Sequence, residues 1–260
     1  MARKLDLRSG RPVWYAYRAP RVASQPLVRD EKADVVVVGM GISGAMIAEA
    51  LSAEGLSVVA IDRRGPLRGS TPATTALVQF EIDQPLTKLS LIIGKEKAER
   101  AWIRSRLAVD GLKARISELG IDCGLVERRS LYLAGDVLSG SSLRLEAEAR
   151  RSAGLYASYL TKSALNERYG IERDSAIESH GNLALDPRRL TAGLWRVCLA
   201  RKTRVHAPVE AVSFSHSAYC VDVETAAGPV IRADACVLAT GYELAPGVPE
   251  QGHRVISTYA

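Results

Sequence analysis

The chain has 260 residues, 47% of them hydrophobic, 25% charged and 5% aromatic, the balance of a folded α/β protein with length enough for a substantial core. Its net charge is +6, but 35 Lys and Arg are interleaved with 29 Asp and Glu, which argues for a solvated surface and against a nucleic-acid patch. No apolar run approaches the roughly 20 residues that span a bilayer, so stable membrane insertion is not expected.

The first 30 residues carry Arg3, Lys4, Arg8, Arg11, Arg18 and Arg21 without the apolar stretch of a secretory signal, and Trp14 and Tyr15 mark an arm that packs onto the body. From Asp34 the pattern sharpens. Val35 to Val38 form the apolar run of a strand buried on both faces, and Gly39-x-Gly41-x-x-Gly44 follows at once. Ile47, Ala48 and Leu51 recur at helical spacing, Gly55 stops that helix, and Val58 to Ile61 form a second strand ending at Asp62.

This is the layout of a dinucleotide-binding βαβ unit. Gly39 permits the tight turn, Gly41 lets backbone approach a pyrophosphate, and Gly44 allows close packing of helix on strand. With Ile42 and Ser43 these glycines form the first helical turn, whose free N–H groups and dipole favour a phosphate. Asp62 stands where an acidic side chain accepts hydrogen bonds from the adenosine ribose. Arg63 and Arg64 keep a second cofactor open, because arginine at this place receives the 2′-phosphate of NADP; Asp62 opposes it.

A loop rich in small and hydroxyl side chains comes next, with Gly69, Ser70, Thr71, Thr74, Thr75, Ala76 and Leu77. Residues 96–119 read as a helix with Val109, Leu112, Ile116 and Leu119 on one stripe and Gly120 at its end. Residues 129–134 read as a strand, Ser141 or Ser142 as the cap of a helix to Ala153, and Thr161 as the cap of a short helix ending near Gly170. Asp186 and Pro187 open another helix, with Leu190, Leu194 and Val197 on its buried side. Thr203–His206, Val209–Phe214, Tyr219–Val223 and Pro229–Ala233 then form a β-meander, and Cys236–Ala239 the last parallel strand before Thr240 and Gly241.

Cys123, Cys198, Cys220 and Cys236 form no CxxC pair or metal-ligand spacing, so no metal site is expected, and the thiols fit a reducing, cytoplasmic compartment. His180, His206, His216 and His253 are dispersed and read as packed or surface residues.

From Asp34 to Asp62 the chain resembles the FAD-binding motif of the glutathione-reductase-like flavoproteins. The block Arg68 to Leu77 resembles the hydroxyl-rich loop of the D-amino-acid oxidase and glycine oxidase family, as do Ser130 to Ala134, Asp186 to Leu190, Pro208-Val209 and Ala239-Thr240-Gly241. The resemblance implies a Rossmann-like FAD-binding domain, with parallel sheet and β-meander, over residues 31–92 and 186–243. It also implies an interposed, incomplete α+β substrate domain over 93–185 and 244–260. FAD would be the cofactor, held by the residues above together with Val209 and Ala239 to Gly241. The reaction implied is oxidation of a C–N bond in an amino acid or amine, by hydride transfer to the flavin, and no catalytic residue is assigned. Family members usually continue beyond the length seen here, and Ser257 to Ala260 read as a strand entering a sheet. A truncated flavoprotein, or a subunit needing a partner chain, is therefore expected beside the NADP alternative.

Overall fold

The computed structural model describes residues 12–18, 20–243, 245 and 247–248; the strand expected at 257–260 and His253 lie outside the described residues. In chain order the elements are β1 (Glu31–Val38), α1 (Ile42–Ala53), β2 (Val58–Ile61), β3 (Leu77–Val78), α2 (Leu86–Ile93), α3 (Lys95–Glu118), β4 (Val126–Leu133), α4 (Gly140–Ser152), β5 (Ser158–Thr161), α5 (Lys162–Tyr169), β6 (Ser175–Ala184), α6 (Pro187–Ala200), β7 (Arg204–His206), β8 (Ala211–His216), β9 (Val221–Thr225) and β10 (Val230–Leu238). They fall into two units. The first runs to Thr75 and takes in Ile121–Cys123 and the chain from Asp186; the second comprises Ala76–Gly120 and Gly124–Leu185.

The first unit is built on a six-stranded sheet in the order β7-β2-β1-β10-β9-β8, parallel from β7 to β10 and antiparallel from β10 to β8. β1 lies inside the parallel part, which is why its valines need no polar partner: Val36 and Val37 are fully buried. On one face Val36, Val59, Ile61, Val223 and Ile231 join Leu27 and Val209 in a single apolar cluster. α1 packs against α6. α6 starts as the sequence indicates, with the Asp186 carboxylate accepting the amides of Arg188 and Arg189 at 2.9 and 3.1 Å and Pro187 in the first turn.

Several strand assignments change. Pro229–Ala233 and Cys236–Ala239 are not separate strands, because Val230–Leu238 runs unbroken. Its first half pairs antiparallel with β9 while nearly its whole length pairs parallel with β1, so one strand serves both the meander and the parallel sheet. β7 leaves the meander for the far edge beside β2, and Val209 precedes β8 rather than belonging to it.

In the second unit β6 is the central strand of an antiparallel sheet, pairing with β4, β3 and β5. Phe80, Leu86, Trp102, Val109 and Leu183 form its largest buried cluster. This explains why residues 76–92, read from sequence with the cofactor domain, belong here instead: Leu77 pairs with Ala184, Phe80 packs edge-on to Trp102, and Glu146 accepts the amides of Leu86 and Thr87 at 2.8 Å each. The same Glu146 binds Arg150 at 2.7 Å, both side chains buried, with the Arg150 guanidinium 4.4 Å from the centre of the Trp102 ring. α4 is capped by Ser139 rather than Ser141 or Ser142, since the Ser139 hydroxyl accepts the Ser142 amide. Thr161 caps α5 and Gly170 closes it, as expected.

Candidate functional site

The chain leaves β1 through Gly39, whose φ of +110° and closeness to the Ala239 carbonyl exclude a side chain: a Cβ there would lie 2.4 Å from that oxygen. Gly44 is constrained by contact alone, as its Cβ would meet the Gly39 carbonyl at 1.9 Å. Gly41 differs. It is the N-cap of α1 in extended conformation, and a Cβ there would meet only the Thr71 hydroxyl, at 3.0 Å, and otherwise point into open space. The Thr71 hydroxyl accepts the Ile42 amide at 3.0 Å, and the N-cap Gly41 has no side chain to cap the next amides, so those of Ser43 and Gly44 have no acceptor among the described residues. Unpaired N–H groups and the positive helix end therefore face a space bounded by Gly41 and the short helical turn Thr71–Ala73.

Asp62 closes the other side. Its Oδ2 accepts the Met40 amide at 2.8 Å, and its Oδ1 accepts the amides of Arg64 and Gly65 at 2.7 and 2.9 Å. Asp62 is thus a strut between the turn after β1 and the turn after β2, a role absent from its sequence reading; the remaining lone pair of Oδ2 is left for a further donor. Val209 donates its amide to the Asp62 carbonyl at 2.9 Å, bringing the cluster-buried Val209 to the same rim. Ala239 continues β10 against β1, with its amide on the Val38 carbonyl at 2.8 Å, and Gly241 approaches the Ser70 side chain.

The structure so gathers Gly39, Gly41, Ile42, Ser43, Gly44, Asp62, Ser70, Thr71, Val209, Ala239, Thr240 and Gly241 at the ends of three neighbouring parallel strands. Such strand ends are where open α/β sheets bind ligands. Gly69 lies beside Arg64, while Thr74 and Thr75 are exposed at the end of the first unit. Ala76 and Leu77 fall in the second unit, Leu77 as the first residue of β3.

Arg63 and Arg64 are not free cations. Arg63 pairs with Glu243 at 2.5 Å and with Glu210 at 3.7 Å, and Arg64 pairs with Glu243 at 2.8 Å. Other supports were also invisible in the sequence. The Trp195 indole, fully buried on α6, donates to the Met40 carbonyl at 3.1 Å and pins the glycine turn from beneath. In the described part of the N-terminal segment the Trp14 indole donates to the Thr74 carbonyl at 2.7 Å, and Arg188 donates to the Trp14 carbonyl at 2.7 Å. Only the aromatic character of residues 14 and 15 hinted at this; nothing marked Glu243 or Trp195. No group of His, Cys, Asp and Glu among the described residues could hold a metal ion. No helix among them is long and apolar enough to cross a membrane.

Residues 34–258 match the family model for FAD dependent oxidoreductases, designated DAO. A Haemophilus influenzae protein named "Probable oxidoreductase OrdL" is 25% identical over 224 residues, covering 84% of this chain and 51% of that one. Among solved structures, glycine oxidase from Geobacillus kaustophilus matches with a TM-score of 0.65 at 22% identity, covering 81% of this chain and 56% of the other. L-amino acid deaminase from Proteus myxofaciens, in complex with anthranilate, matches with a TM-score of 0.68 at 18% identity, covering 86% and 49%. The chain therefore spans about half the length of the relatives it matches. Both solved structures share the α/β architecture described above. With the family model matching most of the sequence, from the first valine strand through the segment after β10, the chain belongs to the DAO family of FAD-dependent oxidoreductases.

Proposed function

We propose that the first unit holds FAD, with its pyrophosphate at the N-terminus of α1 and its adenosine at Asp62, and that the protein oxidises the C–N bond of an amino acid or amine. The observation that carries this reading is the pair of unaccepted amides, Ser43 and Gly44, in the first turn of α1. Helix amides without an intramolecular acceptor, facing a space that a Cβ on Gly41 would enter, suit a ligand with two negative phosphates and no room for a side chain beside it.

Each residue has a part in that binding. The Ser43 and Gly44 amides donate to phosphate oxygens, while Thr71 fixes the helix entrance through Ile42. Asp62 offers its spare lone pair to a ribose hydroxyl while its other bonds hold the turns in place. Val209 and the Ala239-Thr240-Gly241 segment bring main chain to the rim, and Ser70, Thr74 and Thr75 supply the loop between. Bound FAD supplies the acceptor for a hydride from the carbon bearing the amine. Relatives of like fold named for glycine and L-amino acids support a small amino acid or amine as substrate. The pairing of Arg63 and Arg64 with Glu243 weighs against NADP as cofactor.

The test is direct. Protein purified from an FAD-supplemented refold, passed through gel filtration and assayed for peroxide release over a panel of amino acids and amines, should retain flavin and turn over at least one of them. Protein that retains no flavin at saturating FAD would sink the cofactor assignment.

A further inference from the structure

We propose that Glu243 is a selectivity residue: by occupying Arg63 and Arg64 together it keeps both from receiving a 2′-phosphate, and so reserves the adenosine end for an unphosphorylated ribose. The inference rests on the nucleotide reading of the site and goes one step past it.

Arg63 and Arg64 directly follow Asp62, the residue placed to meet the ribose, and both are about half exposed, at 49% and 45%. Two adjacent guanidiniums at that place are the recognition chemistry for a phosphate, because each offers several N–H donors in a rigid fork. Here the forks are taken. The two oxygens of Glu243 divide between them, Oε2 to Arg63 at 2.5 Å and Oε1 to Arg64 at 2.8 Å, and Glu210 adds a second carboxylate 3.7 Å from Arg63. Two cations face two anions, so the cluster carries no formal surplus of positive charge with which to attract a dianion. The Arg64 guanidinium passes beside Gly69, where an added Cβ would stand 3.2 Å from its Nη2. Glu243 reaches this place because Ala239 continues β10 beside β1 and the next residues turn back, with the Glu243 amide on the Thr240 carbonyl. A 2′-phosphate would have to displace a carboxylate already seated.

The probes are 5′-ADP and 2′,5′-ADP, which differ only in the phosphate at issue, titrated calorimetrically into the purified protein. The parent should prefer 5′-ADP. Glu243→Gln, of the same shape, should move the affinity ratio about tenfold toward 2′,5′-ADP by freeing guanidinium donors, and added salt should shrink that shift. The double variant Arg64→Gln/Glu243→Gln should lose most of it. Glu243→Ala, which removes the carboxylate by a different route, should give a shift of the same sign and keeps the proposal testable if Glu243→Gln folds poorly. An unchanged ratio in a folded Glu243 variant would overturn the proposal while leaving the nucleotide site standing. A parent that binds neither nucleotide would overturn both.

Discussion

The Met40 amide donates to Asp62 Oδ2 across 2.8 Å, joining the turn that leaves β1 to the end of β2. With the amides of Arg64 and Gly65 on the other oxygen, one carboxylate ties together the two loops that leave β1 and β2. A residue expected to serve a ligand is also part of the scaffold that shapes the ligand's place.

Asp62→Ala should therefore destabilise the protein in the absence of FAD. Hydrogen bonds to a charged acceptor contribute about 1.5 to 3 kcal/mol each and are not additive within one group, so a loss of about 2 to 3 kcal/mol is expected. Urea unfolding of flavin-free protein measures it. A variant as stable as the parent without FAD, and weaker only in binding it, would leave Asp62 as a ligand residue alone.

Gly41→Val separates binding from folding. Its side chain would press on the Thr71 hydroxyl and fill the space before the α1 amides, while the extended backbone at Gly41 suits any residue. Far-UV circular dichroism should match the parent, and flavin retained after gel filtration should drop by at least about tenfold. Retention equal to the parent's would remove the pyrophosphate from this turn.

Acid should unfold the second unit through Glu146. Burial pushes this carboxyl up, but bonds from the Thr87 hydroxyl and amide and from the Arg150 guanidinium outweigh it and hold the pKa below the usual glutamate value. A depressed carboxylate stabilises the fold above its unfolded pKa and loses that contribution as pH falls through the folded one. Helical signal should accordingly decline below about pH 4. Glu146→Gln should already be about 3 to 5 kcal/mol less stable at neutral pH, because Arg150 is left buried without its counter-ion, and its stability should vary less between pH 5 and 3. A variant as acid-sensitive as the parent would assign the transition to another group.

The thiols should differ in reactivity. Burial pushes the pKa of Cys198 and of Cys236 to about 11, so thiolate is scarce at neutral pH, and Cys123 is buried as well. A disulfide reagent at pH 8 should label Cys220 before the partly exposed Cys236, and Cys123 and Cys198 only on unfolding, as peptide mapping of a time course would show. Rapid labelling of Cys198 in native protein would contradict the burial seen on α6.

Sequence carried the elements whose chemistry is local. The valine run and the three glycines specify β1, the turn and α1, because strand burial and backbone clearance each restrict residue type at the position concerned. Asp186-Pro187 and Thr161 mark helix starts for the same reason, since a cap bonds amides two or three residues away. The Ser139 cap was missed because three serines in four residues, Ser139, Ser141 and Ser142, are each able to cap a helix start and only backbone geometry chooses among them.

What sequence alone determined, then, was the nucleotide-binding class of the fold, since the spacing of Gly39, Gly41, Gly44 and Asp62 is set by contacts within one βαβ unit. Tertiary structure decided everything that joins distant segments. It made Val230–Leu238 one strand by laying it against β1 along nearly its whole length, and it gave residues 76–92 to the second unit through β6 and Glu146. It also turned Arg63 and Arg64 from apparent phosphate ligands into partners of Glu243, some 180 positions away. Ion pairs of such separation leave no period or motif in the chain, because the carboxylate that satisfies them is chosen by where the backbone returns.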